Sequence, residues 1–270
     1  LTSDHWRLQK DFLQPHLNVP MSNHTEKFEK TPLLIVTATF QEMRAVLTPF
    51  GERLDMELTR PASCCYQGRR FVLLVTGIGS LNAAMSLSRV FGSGMRVRGV
   101  VNLGIGGSFD PVRIPLLGKV AVQEEYWPEI GVRTKNGIDV QALKQTLGEG
   151  QGDLIRDHLV LHPEEKARSM GLELPADWTR VRSLSVAGVT GDAAEAIRIA
   201  GVYGVQCENM EGFSLAWVCF QEQIPFLEAR SISNKVGSRN KEDWNIKGSL
   251  RALEEMSRAL FCSRPKSVLV

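Results

Sequence analysis

Residues 207–244, CENMEGFSLAWVCFQEQIPFLEARSISNKVGSRNKEDW, decide how the rest of the chain is read. Phe213, Leu215, Ala216, Trp217 and Phe220 give a helix over residues 210–221 an apolar face, as the 3.6-residue period requires. Ile224-Pro225 stops that helix, because proline has no N–H to continue it. Residues 225–232 (PFLEARSI) then predict a short, mostly buried strand that carries one charged residue out of character, Arg230, and ends in Ser233-Asn234. Glu208 and Glu211 stand at the mouth of the helix. Polar groups at a helix start and at the carboxyl end of the next strand meet across a crevice in open α/β sheets, which is where ligands lie. Taken singly, Glu211 is equally a first-turn acid facing the helix dipole and Asn234 equally a turn residue; together they point to a site.

With 270 residues, 43% hydrophobic and 23% charged, the chain can bury a sizeable core. One large α/β domain over residues 31–270 is expected. Residues 1–30 have no sustained period and read as an N-terminal extension, with Met21 a natural start and residues 1–20 an upstream addition. The three histidines there, His5, His16 and His24, lack the acidic or cysteine partners of a metal site. A net charge of +2 lacks the concentrated basic face of a nucleic-acid binder, so a small-molecule partner is expected. Five cysteines without a C-x-x-C pair argue against both a zinc site and a disulfide framework and favour a reducing, cytoplasmic setting. No apolar run approaches the roughly 20 residues of a membrane span.

Outward from the opening stretch, residues 33–38 (LLIVTA) predict a buried strand and residues 41–50 a helix ending at Gly51. Glu42, at the start of that helix, is placed to take a proton from a bound water, or is simply another first-turn acid. Strands are expected over 54–58 and 71–75 around a turn at Gln67-Gly68. The second runs into Thr76-Gly77-Ile78-Gly79 ahead of a helix over 81–91, and backbone N–H groups in such a turn can hold an anion or a hydroxyl. The turn is neither a G-x-G-x-x-G fingerprint nor a Walker loop with its lysine. A strand over 99–103 is expected to break at Gly104-Ile105-Gly106-Gly107-Ser108. With a third glycine turn at Gly188, several backbones would approach one crevice. Residues 119–124 give a further strand, and residues 126–180 read as surface excursions with helices near 139–147 and 151–158. Trp127 and Trp178 fall there as packing residues. A strand over 182–189, a helix capped by Thr190-Gly191-Asp192, a short strand over 205–208 and an amphipathic helix over 244–262 complete the pattern.

These residues resemble the nucleoside phosphorylase and nucleosidase superfamily. There M-E precedes the helix and I-S-D or I-S-N ends the strand, as Met210-Glu211 and Ile232-Ser233-Asn234 do here. T-G-I-G at 76–79 and N-L-G-I-G-G at 102–107 match the other glycine turns in order and spacing, and the likeness covers roughly residues 33–262. It implies a three-layer α/β/α domain with a central mixed sheet, a nucleoside substrate, no cofactor, no metal, and a homodimer or higher homo-oligomer. Within the superfamily, E-N-M-E-G joined to S-I-S-N-x-V-x-x-R-N-K-x-x-W is most similar to the futalosine hydrolases of menaquinone biosynthesis. That likeness implies hydrolysis of an N-ribosidic bond with release of hypoxanthine. It makes Glu211 the carboxylate that binds the ribose hydroxyls, Glu42 the acid that activates water, and Asn234 the purine contact where adenine-specific relatives carry Asp. An amide NH₂ can donate to O6 or N7 of a 6-oxopurine.

The same likeness puts Gly77, Ile105, Gly106, Asn209, Met210 and Ser233 around the ligand and gives base contacts to the backbone of Val189 and Thr190. Arg230, charged in a buried strand, needs a partner and is expected to orient Glu211 or another site acid. Arg239 and Trp244 would meet the carboxylated aromatic tail of futalosine by ion pairing and stacking, or else are a surface arginine and a core aromatic. Phosphorolytic relatives place an Arg before the second glycine turn and a Ser inside it, whereas this chain has Asn102 and Ile105. Without a guanidinium the bidentate phosphate clamp is lost, and water is the expected nucleophile. A methylthioadenosine/S-adenosylhomocysteine nucleosidase, a purine nucleoside phosphorylase and a non-catalytic nucleoside-binding module remain the alternatives; Asn234 speaks against the first, Asn102 with Ile105 against the second, and the presence of both Glu42 and Glu211 against the third.

Overall fold

Strand β1 (Leu33–Thr37) is buried at every position, and its side chains divide between two cores: Leu34 and Val36 enter one, Leu33 and Ile35 the other. A strand packed on both faces has no polar side to show, which is why LLIVT reads as a continuous apolar run and not as an alternation. It belongs to a computed structural model that describes residues 31–51, 55–135, 137–150 and 153–262. The N-terminal extension expected over residues 1–30 lies outside the described residues.

Helix α1 (Phe40–Leu47) opens with a capping box between Thr39 and Glu42, and a 3-10 turn ends at left-handed Gly51. β2 (Ala62–Tyr66) and β3 (Arg69–Val75) pair as a hairpin across Gln67 and Gly68, both at positive φ. Two residues of that kind match the twist of the flanking strands, so the partner of β3 must abut the turn. The strand expected over 54–58 is therefore displaced to Ala62–Tyr66. α2 (Ser80–Gly92) precedes β4 (Gly99–Ser108), and here a second expectation fails: the glycine run does not break the strand but continues it over ten residues. The glycines make room. A Cβ on Gly104 would overlap the Arg230 guanidinium, and one on Gly107 would lie 2.7 Å from Val236 Cγ2.

β5 (Lys119–Tyr126) is followed by hairpins of three-residue strands, β6 (Val132–Thr134) with β7 (Gly137–Asp139) and β8 (Gly148–Gly150) with β9 (Asp153–Ile155), and by β10 (His158–Val160). Among the described residues, the two helices expected near 139–147 and 151–158 do not form. Strands this short fall below the window in which periodicity can be read, and the helix that does form, α3 (Pro163–Ser169), was not anticipated. β11 (Thr179–Ser185) starts three residues before the strand expected over 182–189 and ends four before it, while α4 (Ala193–Tyr203) capped by Asp192, β12 (Cys207–Asn209), α5 (Gly212–Gln221), β13 (Phe226–Lys235) and α6 (Ile246–Phe261) capped by Asn245 follow the sequence closely.

Nine strands form one mixed sheet in the order β10-β5-β11-β12-β4-β1-β3-β2, with β13 bridging β4 and β5. That bridge closes β4, β13, β5, β11 and β12 into a ring. α2 and α5 cover one face of the sheet; α1, α3 and α6 cover the other, giving the expected three-layer α/β/α arrangement. Trp178 is buried in the second core and Trp127 packs on Phe213, as the packing reading has it.

Leu253 on α6 is fully buried beside Met43 and Phe261. Leu253→Ala should cost about 2–5 kcal/mol in urea denaturation without changing the slope; an unchanged midpoint would show that α6 does not seal the core.

Candidate active site

The capping box that starts α1 also fixes Glu42. Its Oε2 accepts from Thr39 N at 2.9 Å and Thr39 Oγ1 at 2.8 Å, and its Oε1 accepts from Ile105 N at 3.0 Å. The carboxylate is 4% exposed and faces the strand that carries Gly104. Glu211, 6% exposed, reaches the turn before α2, where its Oε1 accepts from Gly79 N at 2.9 Å. The anion expected at this glycine turn is thus the protein's own carboxylate. Gly77, at φ 87°, is not the donor, since its N–H is bound to Ala38 O.

Arg230 ties these two acids together. It is 1% exposed, its Nε donates to Glu228 Oε1 at 2.9 Å and its Nη1 lies 3.9 Å from Glu211 Oε2. Burial pulls its pKa down, but Glu228, Glu211, Glu42 and Glu125 around it hold the guanidinium above its usual value. Its hydrogen-bonded carboxylate is thus Glu228, a site acid other than Glu211, while Glu211 stands at ion-pair distance. Burial raises the pKa of Glu211, opposed by Arg230 and the Gly79 N–H and reinforced by Glu42 and Glu228.

Beneath this triad the ring of strands encloses a polar interior. Asn209 donates to Glu125 Oε1 and Ser183 Oγ, each at 2.8 Å. Its Oδ1 accepts from Glu211 N at 2.9 Å and Gly212 N at 2.7 Å, satisfying two of the free amides at the start of α5. Both amide hydrogens are committed inward, so the structure corrects the expectation that Asn209 touches the ligand: it anchors the backbone that carries Glu211. Glu125 is pushed well above the usual carboxylate range by burial and by the nearby charge of Glu228. Neither Glu125 nor Glu228 was singled out in the sequence. The signal was present in E-A-R at 228–230, because residues two apart on a strand share a face.

Asn234 sits at the end of β13, half-buried, with Oδ1 accepting from Ser233 Oγ at 2.8 Å and Nδ2 donating to Lys235 O at 3.3 Å. Ser233 lies 3.1 Å from Gly106 O and Met210 O accepts from Ser80 Oγ at 3.1 Å, so these expected contacts line the same strand ends. Val189 is exposed. The Thr190 N–H, expected to face a base, is held by Glu208: Thr190 N and Oγ1 donate to its two oxygens at 3.0 and 2.5 Å. Burial raises the pKa of Glu208 against those two bonds. Trp244 forms a β-bridge with Asn234, its Nε1 donates to Ser238 O at 3.0 Å, and the Arg239 guanidinium stands 5.1 Å over its ring. This pair therefore flanks Asn234. Among the described residues no cluster of His, Cys, Asp or Glu could hold a metal ion, and no helix is long and apolar enough to cross a membrane.

Glu42, Glu211 and Arg230 thus lie together where α1, α5 and β13 approach the glycines of β4, and the chain is similar to known proteins. Residues 33–263 match the model of the phosphorylase superfamily. A futalosine hydrolase of Thermus thermophilus is 32% identical over 200 residues, which are 72% of this chain and 83% of that protein. A futalosine hydrolase of Streptomyces coelicolor is 30% identical over 233 residues, covering 83% and 92%. Among solved structures, the native futalosine hydrolase of Helicobacter pylori superposes with a TM-score of 0.66 at 16% identity over 85% of this chain and 96% of its own. An adenine-bound chain from Borrelia burgdorferi, described as a nucleosidase for methylthioadenosine and S-adenosylhomocysteine, gives 0.66 at 20% identity over 84% and 98%. At these identities the two structures share the fold.

Glu125, Glu208, Glu211 and Glu228 all have folded-state pKa values above the ordinary 4.5. Above 4.5 and below those raised values the folded chain binds more protons than the unfolded one, so stability rises as pH falls through that window. Exposed Glu164 and Glu195, held low by Arg180 and Arg198, act oppositely and only at lower pH. Urea denaturation should therefore find the protein more stable at about pH 5.5 than at about pH 7.5, with Glu125→Gln flattening the difference; a wild type no more stable at about pH 5.5 than at about pH 7.5 would contradict the buried-acid assignment.

Proposed function

The chain belongs to the phosphorylase superfamily, and from that premise we propose that it hydrolyses the N-ribosidic bond of futalosine, releasing hypoxanthine and dehypoxanthine futalosine in menaquinone biosynthesis, as the names of its relatives indicate. One observation carries the reading: Glu211, 3.9 Å from the buried Arg230 guanidinium, and Glu42, whose Oε1 lies with that guanidinium against Gly104, are distant in sequence yet neighbours on the strands that end at Asn234.

Cleavage of an N-ribosidic bond passes through an oxocarbenium-like sugar, so catalysis needs negative charge near C1′, a positioned water and stabilisation of the departing purine. Glu211 binds the ribose hydroxyls, and its interaction with the ring strengthens as positive charge develops. Glu42, held by three donors, accepts a proton from water as the water oxygen bonds to C1′. The C1′–N9 bond breaks with its electron pair going to the purine, and the Asn234 amide donates to O6 or N7 of that base. Asn234 is neutral at all working pH, so it selects and polarises the base without itself giving up a proton; the departing purine anion takes its proton from water, and Glu42 returns its own to solvent.

Water and not phosphate is the nucleophile for a reason of charge. Asn102 is buried in β4, the Ile105 N–H is spent on Glu42, and Arg230 is engaged by Glu228. A phosphate dianion brought here would face two carboxylates with no cation left to clamp it. Arg239 and Trp244, stacked beside Asn234, meet the aromatic carboxylate at the sugar 5′ end. The reaction runs in the cytoplasm, and the working form is a homodimer or higher homo-oligomer.

Purified protein given futalosine, inosine and methylthioadenosine, each with and without phosphate, should release hypoxanthine from futalosine at a rate independent of phosphate; a phosphate requirement would refute hydrolysis. Glu211→Gln should lower kcat by about 10²-fold or more while circular dichroism and melting stay native. Full activity in that variant would remove the ribose role.

A further inference from the structure

Glu208 has no part in the reaction as described, yet it is a carboxylate only 5% exposed next to the purine contact. It lies directly opposite Gly107 in the antiparallel pairing of β12 with β4, and residues so paired project to the same face. On the other flank of β4, Asn234 is the register partner of Gly107, and a side chain on Gly107 would come within 3.0 Å of Asn234 Nδ2. Cys207 and Ser108, the next pair in register, point the opposite way, since successive residues of a strand alternate. Glu208 and Asn234 thus stand on one face of the sheet on either side of a residue with no side chain. Two strand spacings separate their backbones by roughly 9–10 Å.

The two groups are chemically complementary to one kind of base. An ionised carboxylate only accepts, while an amide NH₂ donates. A 6-oxopurine shows acceptors at O6 and N7 and a hydrogen on N1; a 6-aminopurine shows an amino donor at position 6 and a lone pair on N1. We propose that Glu208 is a specificity-determining residue that accepts the N1–H of a 6-oxopurine while Asn234 donates to O6 or N7, which rests on the nucleosidase reading of the same site. The two bonds from Thr190 use only part of the roughly four lone-pair positions of a carboxylate and fix its orientation. Thr190 is itself tied by its carbonyl to Gly237 N at 3.0 Å, just beyond the strand that bears Asn234, so acceptor and donor are held by one bonded loop. A 6-aminopurine would set its N1 lone pair against the carboxylate, and an unpaired acceptor in a water-poor site is heavily penalised.

The experiment compares kcat/KM for futalosine and for its 6-amino counterpart on the wild type, Glu208→Gln and Thr190→Val. The ratio is taken within one preparation, so an altered folded fraction cancels. Wild type should prefer the 6-oxo substrate, Glu208→Gln should shrink that preference about tenfold or more, and Thr190→Val, which removes a loop bond but leaves the acceptor, should slow both substrates alike. An unchanged preference in Glu208→Gln would make Glu208 a clamp for the loop and overturn the proposal, with hydrolysis of futalosine untouched. Calorimetric titration with free hypoxanthine and adenine reads the same selectivity without turnover. A wild type that binds hypoxanthine over adenine through Glu208 but leaves futalosine intact would uphold the proposal and defeat the nucleosidase reading instead.

Discussion

One buried cation among four acids is the constraint on which the rest depends. Arg230 is almost wholly removed from solvent, and Glu228, Glu211, Glu42 and Glu125 all act on its charge. Removing such a cation from water costs several kcal/mol unless partners repay it, so the acids are drawn to it from four separate segments. Glu228 comes from the arginine's own strand, Glu125 from β5, Glu42 from the start of α1 and Glu211 from the start of α5. The excess negative charge is relieved at Glu125, whose carboxyl is driven toward its neutral form by burial and by Glu228.

That arrangement is possible only because β4 is stripped of side chains where the others converge. A Cβ on Gly104 would overlap the Arg230 guanidinium and come within 3.0 Å of Glu42 Oε1, and one on Gly106 would lie 3.1 Å from Cys207 Sγ. Glycine in a strand normally weakens it. Here the loss is offset by paired neighbours on both sides, β13 and β12, and the absent side chains leave room for the Arg230 guanidinium and the Glu42 carboxylate. Closure of the five-strand ring supplies the rigidity that a site built from strand ends requires.

Much of this was legible beforehand, and the reasons are physical. Long apolar runs such as LLIVT and the helix-strand pair around Arg230 carry strong periods, so β1, α5, β13 and α6 fall within a few residues of expectation. Glycine was misread in β4 because a turn and a close approach both ask for it, and sequence cannot tell which neighbour is near. The short hairpins between β5 and β11 were missed because three residues hold no readable period. Within the site, Glu42, Glu211 and Arg230 announced themselves by sitting at element boundaries or out of place in an apolar strand. Asn209 was assigned to the ligand because it adjoins Glu211, whereas its amide is consumed by the backbone of α5 and by Glu125. Glu208 looked like a companion of that motif, and only the register of β12 against β4 shows that it faces the side where Asn234 stands.

If a single guanidinium organises both the ring interior and the site, its removal should be felt in two separable ways. The direct measurement is the stability and turnover of Arg230→Met beside those of the double variant Arg230→Met with Glu228→Met. The single variant should lose roughly 3–5 kcal/mol, because uncompensated acids are left buried, and the double variant should regain much of it, while neither hydrolyses futalosine at a wild-type rate. A single variant as stable and as active as the wild type would contradict the account.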